Sequence, residues 1–186
     1  MRDLPFTICG VDELDQLVTP DISHVISIID PGWPPLEALS RLPDSRVHRF
    51  HFSDVIAARD ESDRLPDAAA VRAIIAAGRT IRDDDPAHVL VHCQMGISRS
   101  SAATLIVLSE GHPGDEMAVA ERIMQRRPQA WPNSLMLQLA DAELGRGGRL
   151  VEAGRAIRHQ TARSRPEFAD YIRSTHRKAE VDDLGL

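Results

Sequence analysis

The feature that most narrows the fold is a run of apolar, β-branched residues that recurs along the chain and is followed each time by a turn or loop. His24-Val-Ile-Ser-Ile-Ile29 ends at Asp30-Pro31-Gly32, a turn signal. His88-Val-Leu-Val-His92 has the compact signature of a buried strand and passes directly into Cys93-Gln-Met-Gly-Ile-Ser-Arg99. Two weaker strands accompany them. Phe6-Thr-Ile-Cys9 is closed by Gly10, with Asp12 placed to cap a short helix through Val18, and Arg46–Phe52 ends near Ser53-Asp54.

Helical periodicity fills the rest. Val71, Ile74, Ile75, Gly78 and Ile81 recur at helical spacing and predict an amphipathic helix of about 15 residues, with Pro66 at its first position and Asp83-Asp-Asp-Pro86 as its break. Ser100–Leu108 is apolar nearly all round, as a helix in the middle of a domain should be. Further helices are predicted around Asp115–Arg126, Asn133–Leu144 and Leu150–Ile157. Strand–helix alternation followed by helices predicts an α/β fold: a central, mainly parallel sheet flanked by helices. Residues 1–158 are expected to form this unit. Residues 159–186, polar and rich in Arg, are expected to form a helical appendage or a flexible tail, with Phe168, Tyr171, Ile172 and Thr175 on one face of a helix from Pro166 through Lys178.

A chain of 186 residues suits one domain. Its net charge of −6 gives it no overall attraction for phosphate polymers, so a nucleic-acid partner is not expected. Two cysteines make no disulfide framework and point to the reducing cytoplasm. The first six residues lack the apolar stretch of a leader, and the longest apolar runs are too short to span a bilayer, so no membrane insertion is expected. Nothing in the sequence constrains the oligomeric state.

The chemistry concentrates at Cys93 and Arg99, which stand in a Cys-x5-Arg arrangement between a strand and a helix start. A loop entering a helix N-terminus turns several backbone N–H groups into one hollow, where the helix dipole adds positive potential. Gly96 lets that backbone curl. Arg99 offers a planar fork to two phosphate oxygens, and Cys93 on the floor sees the same field, which favours its thiolate. An anion cradle over an anionic nucleophile suits phosphoryl transfer to sulfur.

His92-Cys-Gln-Met-Gly-Ile-Ser-Arg-Ser100 matches every fixed position of His-Cys-x5-Arg-Ser/Thr, and on these residues the sequence resembles the cysteine-dependent protein tyrosine phosphatase superfamily. The likeness is closest to compact dual-specificity-type members, particularly bacterial ones, and extends loosely from about Thr7 to Leu150. It implies a single dual-specificity-phosphatase-like domain. Cys93 would be the nucleophile of a phosphocysteine intermediate. Arg99 would bind the phosphoryl oxygens, and Ser100 would donate to the sulfur in the second step. Gln94, Met95, Gly96, Ile97 and Ser98 would supply backbone donors, and His92 would hold the loop's shape from behind. Arg127-Pro128 and Pro132-Asn133 resemble the stretch that follows the signature in dual-specificity relatives, so Asn133 is expected to fasten the phosphate loop or simply to cap a helix.

The resemblance also implies a general acid on an upstream loop. Asp54, 39 positions before Cys93 at the end of a strand, is the foremost candidate, with Asp60 and Asp63 as competitors. Trp33-Pro34 lacks the Asp that would make it an acid loop, and Asp30–Pro35 reads as a turn. His48 and His51 fall on opposite faces of a strand, and no spacing suggests a metal, so no metal or cofactor is expected. The expected substrate is a phosphorylated protein, with phosphotyrosine foremost and phosphoserine or phosphothreonine also possible. A phosphoinositide or other small phosphoester is the alternative, which the uncharged Gln94, Met95, Ile97 and Ser98 disfavour. Other readings are a sulfurtransferase or an arsenate reductase using Cys9 as second thiol, and a non-catalytic phosphoprotein-binding module.

Overall fold

The computed structural model describes residues 4–186; residues 1–3, part of the stretch read for a leader, lie outside the described residues. Strands β1 (Phe6–Cys9), β2 (His24–Ile29), β3 (Val47–His51) and β4 (Val89–His92) form one sheet in the order β1-β4-β2-β3, with every pairing parallel. The eight α-helices among the described residues are α1 (Leu14–Leu17), α2 (Ala68–Asp83), α3 (Arg99–Glu110), α4 (Glu116–Arg126), α5 (Ser134–Leu144), α6 (Arg149–Ser164), α7 (Pro166–Arg173) and α8 (Lys178–Asp182).

Burial explains the strand patterns. β2 and β4 are the central strands, and every residue of both is buried, so their sequences show no polar alternation. β3 lies on the edge, where Val47 is buried while Arg49 and His51 are exposed. On one face of the sheet, Ile26, Ile28 and Val91 pack with α2, α3, α4, α5 and α6. On the other, Cys9, Val25 and Leu90 pack with Leu14, Val18, Ile22 and Leu39. In α2, Val71, Ile74, Ile75 and Ile81 face inward as their spacing predicts. The helix starts two residues later than Pro66 suggested, because the Asp67 carboxylate accepts from the Ala70 N–H at 2.7 Å and makes residue 67 the cap.

In the C-terminal segment the element bounds differ from those expected. α6 runs unbroken through residue 158, where a boundary was expected. Its polar residues serve the interior: Arg158 donates to the Pro132 carbonyl at 3.1 Å and Thr161 to the Ala130 carbonyl at 2.8 Å. α7 ends at Arg173, short of Lys178, and the chain turns into α8. Ala169, Ile172, Val181 and Leu184 surround the fully buried Trp131, and the Phe168 ring meets the indole edge-on at 5.8 Å. The segment is docked. Tyr171, expected on its apolar face, is 62% exposed instead.

Candidate active site

Parallel strands end on a common edge, and the C-terminal ends of β2, β3 and β4 bring Asp30, Asp54 and Cys93 to the same side of the sheet. Residues 93–98 curl from β4 into α3. Gly96 has φ of +68°, and a Cβ there would run into the backbone of Cys9 and Gly10 and into the Arg127 side chain. Outside the loop, Arg127 donates Nε to the Gly96 carbonyl at 2.9 Å and Nη2 to the Met95 carbonyl at 3.2 Å. Its fork also meets the Glu13 carboxylate in two 2.8 Å bonds, and the Val11 N–H donates to the Gln94 carbonyl at 3.0 Å.

With its carbonyls held from outside, the loop keeps its donors for another use. Among the described residues, the backbone N–H groups of Gln94, Met95, Gly96, Ile97 and Ser98 donate to no protein acceptor. Cys93, 2% exposed, lies with Sγ 3.2 Å from the Ser100 hydroxyl. Arg99 is 1% exposed; Nη1 donates to the Asp30 carboxylate at 2.7 Å and to the Phe52 carbonyl at 2.5 Å, while Nε is buried with no partner. Two anchors on one nitrogen orient the guanidinium and leave the other edge of the fork for an oxyanion.

Solved structures of dual-specificity and tyrosine phosphatases share this fold. Cydia pomonella PTP-2 phosphatase superposes with a TM-score of 0.58 at 19% identity, over 74% of this chain and 84% of that one. The Yvh1 phosphatase domain from Chaetomium thermophilum gives 0.56 at 23% identity, over 78% and 93%, and DUSP15 gives 0.55 at 22% identity, over 88% and 94%. The fold is that of a dual-specificity phosphatase. No protein-family model and no curated protein matches the sequence.

Within this phosphatase fold, Asp54 lies against the far end of the loop. Its Oδ1 accepts from Ser98 Oγ at 2.7 Å and from Asn133 Nδ2 at 3.0 Å, and Arg177 Nη1 stands 3.3 Å from both oxygens. Burial pushes this carboxyl up, but Arg177, then Arg99, and the hydrogen bonds from Ser98 and Asn133 together outweigh it and hold Asp54 below the usual carboxylate range. Asp60 and Asp63 are engaged within their own loop, with the Ser62 hydroxyl and the Arg59 guanidinium respectively. Asn133 caps α5 by accepting from the Met136 N–H at 3.1 Å, and its amide reaches Asp54 and the Val55 carbonyl rather than residues 94–98. His92 is fully buried; burial drives its imidazole down to about 4, opposed by the Cys93 backbone and furthered by Arg99, so it is neutral at pH 7.

Three neighbours escaped the sequence reading. Asp30 was read as part of a turn, and the only local hint was its place at a strand end. Arg177 sat in the segment read as appendage or tail. Glu13 lies 114 residues from the Arg127 it binds. A cavity of about 570 Å³ at the opposite edge of the sheet, lined in part by Leu4, Arg82, His112 and Arg122, holds no cysteine and is separate from the loop. Among the described residues no cluster of three or more His, Cys, Asp or Glu is placed to hold a metal ion, and no helix is long and apolar enough to cross a membrane.

Proposed function

We propose that the protein is a phosphomonoester hydrolase working through a phosphocysteine intermediate, with phosphotyrosine in proteins as its foremost substrate and phosphoserine or phosphothreonine also accepted. The supporting observation is the convergence at one loop of a buried thiol beside Ser100, an Arg99 fork anchored through Nη1 and, among the described residues, five backbone donors without a protein acceptor. In the first step the Cys93 thiolate attacks phosphorus, the ester P–O bond breaks, and the leaving oxygen takes a proton from Asp54. Arg99 and the N–H groups of residues 94–98 stabilise charge on the three non-bridging oxygens. In the second step water attacks the phosphocysteine, Asp54 takes back a proton, and Ser100 donates to the departing sulfur. His92, neutral, supports the loop from behind and moves no proton.

Gln94, Met95, Ile97 and Ser98 add no charge around the loop, which favours singly phosphorylated substrates over phosphoinositides. Arsenate reduction through Cys9 is disfavoured, because burial, with Glu13 adding to it, pushes that thiol up to about 12. Both cysteines are free, which suits a reducing, cytoplasmic setting. The test is hydrolysis of an aryl phosphate by the full-length protein. Cys93→Ser should abolish turnover while retaining binding of the phosphoester; turnover by Cys93→Ser would refute the nucleophile.

A further inference from the structure

We propose that Arg177 is a positioning residue for Asp54: the chain between α7 and α8 delivers a guanidinium that pins this carboxyl beside the loop. The inference rests on the phosphatase reading and deepens it, since it gives the C-terminal segment a part in proton transfer.

The geometry carries it. Arg177 Nη1 donates to Ser98 Oγ at 2.6 Å and stands 3.3 Å from both Asp54 oxygens, so one nitrogen joins the last residue of the loop to the carboxyl. The opposite side of the fork is fixed by Glu180, which accepts from Nε at 2.8 Å. Glu180 is fixed in turn by Trp131 Nε1 and by the Ser134 N–H, each at 2.8 Å. The side chains of Arg177 and Glu180 are 6% and 1% exposed, against 31% for Asp54. Glu180 engages the Nε and Nη2 side of the fork, which leaves Nη1 for Ser98 and Asp54 on the other side.

The other groups around Asp54 act with or against Arg177. Arg99 faces it from α3, Ser98 from the loop and Asn133 from the cap of α5. His176 places Nε2 3.4 Å from the Asp54 carbonyl. The acids Glu180 and Asp30 stand behind Arg177 and Arg99. With two guanidinium groups nearest, Asp54 is a carboxylate at neutral pH, ready to take the proton of the hydrolytic water. Its use as a proton donor to poor leaving groups therefore belongs to acidic pH. Removing the Arg177 charge makes the protonated form persist to higher pH.

The test is the pH profile of kcat/KM for phenyl phosphate, a poor leaving group, with the full-length wild type, Arg177→Met and Arg177→Lys. The basic limb should move up by about one pH unit in Arg177→Met and return toward the wild-type position in Arg177→Lys. A limb that stays in place, whatever the loss of amplitude, overturns the proposal, since a merely structural residue lowers the rate without moving the limb. Arg177→Met also strands Glu180 without its cation, so a second measurement starts with the pairing intact: an NMR titration of the Asp54 carboxyl carbon in full-length Cys93→Ser. A midpoint below the ordinary ~3.9 that rises when Arg177→Met is added supports the pairing, and one that does not move with it overturns it. If the wild type turns over no phosphomonoester, the functional reading fails, and the titration alone decides the role of Arg177.

Discussion

Cys93 and Ser100 are seven residues apart and meet at 3.2 Å because the loop between them closes on itself before α3 begins. That contact predicts a separable defect. A hydrogen bond to a charged partner contributes ~1.5–3 kcal/mol, so Ser100→Ala should slow breakdown of the phosphoenzyme by roughly 10- to 100-fold. Rapid-mixing experiments should then show a burst of the leaving alcohol followed by slow turnover; equal slowing of both phases would remove Ser100 from the second step. These residues were legible because their spacing is local: Cys93, Gly96, Arg99 and Ser100 all fall within eight consecutive positions. Asp30 and Arg177 were not, because a carboxylate at a strand end or an arginine near the C-terminus carries no sign of a partner 69 or 123 residues away. Asn133 was half legible. Its capping role follows from its place before a helix, whereas its bond to Asp54 needs the fold.

At the scale of elements, the loop owes its shape to segments outside it. Gly10 passes so close that an added Cβ would lie 3.1 Å from the Gln94 carbonyl oxygen, and the Arg127–Glu13 pair holds two further carbonyls. Gly96→Ala should therefore destabilise the fold by ~2 kcal/mol or more through backbone strain alone, which lowers Tm by roughly 4–8 °C in a chain of this size. A Tm within 1 °C of wild type, by the same thermal melt, would contradict the tight curl. Element identity was read well where one face is buried, as in α2, or where burial is complete, as in β2 and β4. It was read poorly after residue 158. There the buried Arg158 and Thr161 satisfy backbone carbonyls of the 128–132 stretch, and a polar residue doing so looks, in sequence, like a solvated one.

Across the whole molecule, acid sensitivity follows from a neutral histidine at the heart of the sheet. His92 in the unfolded chain binds a proton near 6.5 and in the folded chain only near 4. The unfolded state therefore takes up more protons between these values, and stability present above pH 6.5 is lost as pH falls toward 4. At ~1.4 kcal/mol per pH unit, the loss over this window is about 3 kcal/mol. His48 and His88, also pushed down by burial, add to it more weakly. The low-lying carboxyls of Asp54, Glu13 and Glu110 add further loss only as they titrate, below the ordinary carboxylate range. Urea unfolding at pH 7, 5.5 and 4.5 should show this slope in wild type and a shallower one in His92→Asn; parallel slopes would exclude His92 as its source.

One end of the sheet thus carries the Nε of Arg99 and five amides that, among the described residues, no protein group answers. A buried donor left unanswered weakens a fold by ~1–3 kcal/mol, so the buried Nε of Arg99 makes the loop that would do chemistry a soft spot in the architecture. Orthophosphate, the expected product, should then act as a tonic for the protein: at 100 times its dissociation constant it should add ~2.7 kcal/mol and raise the melting temperature, and in Arg99→Met most of that gain should vanish. Starved of the anion, the molecule should breathe first where it works.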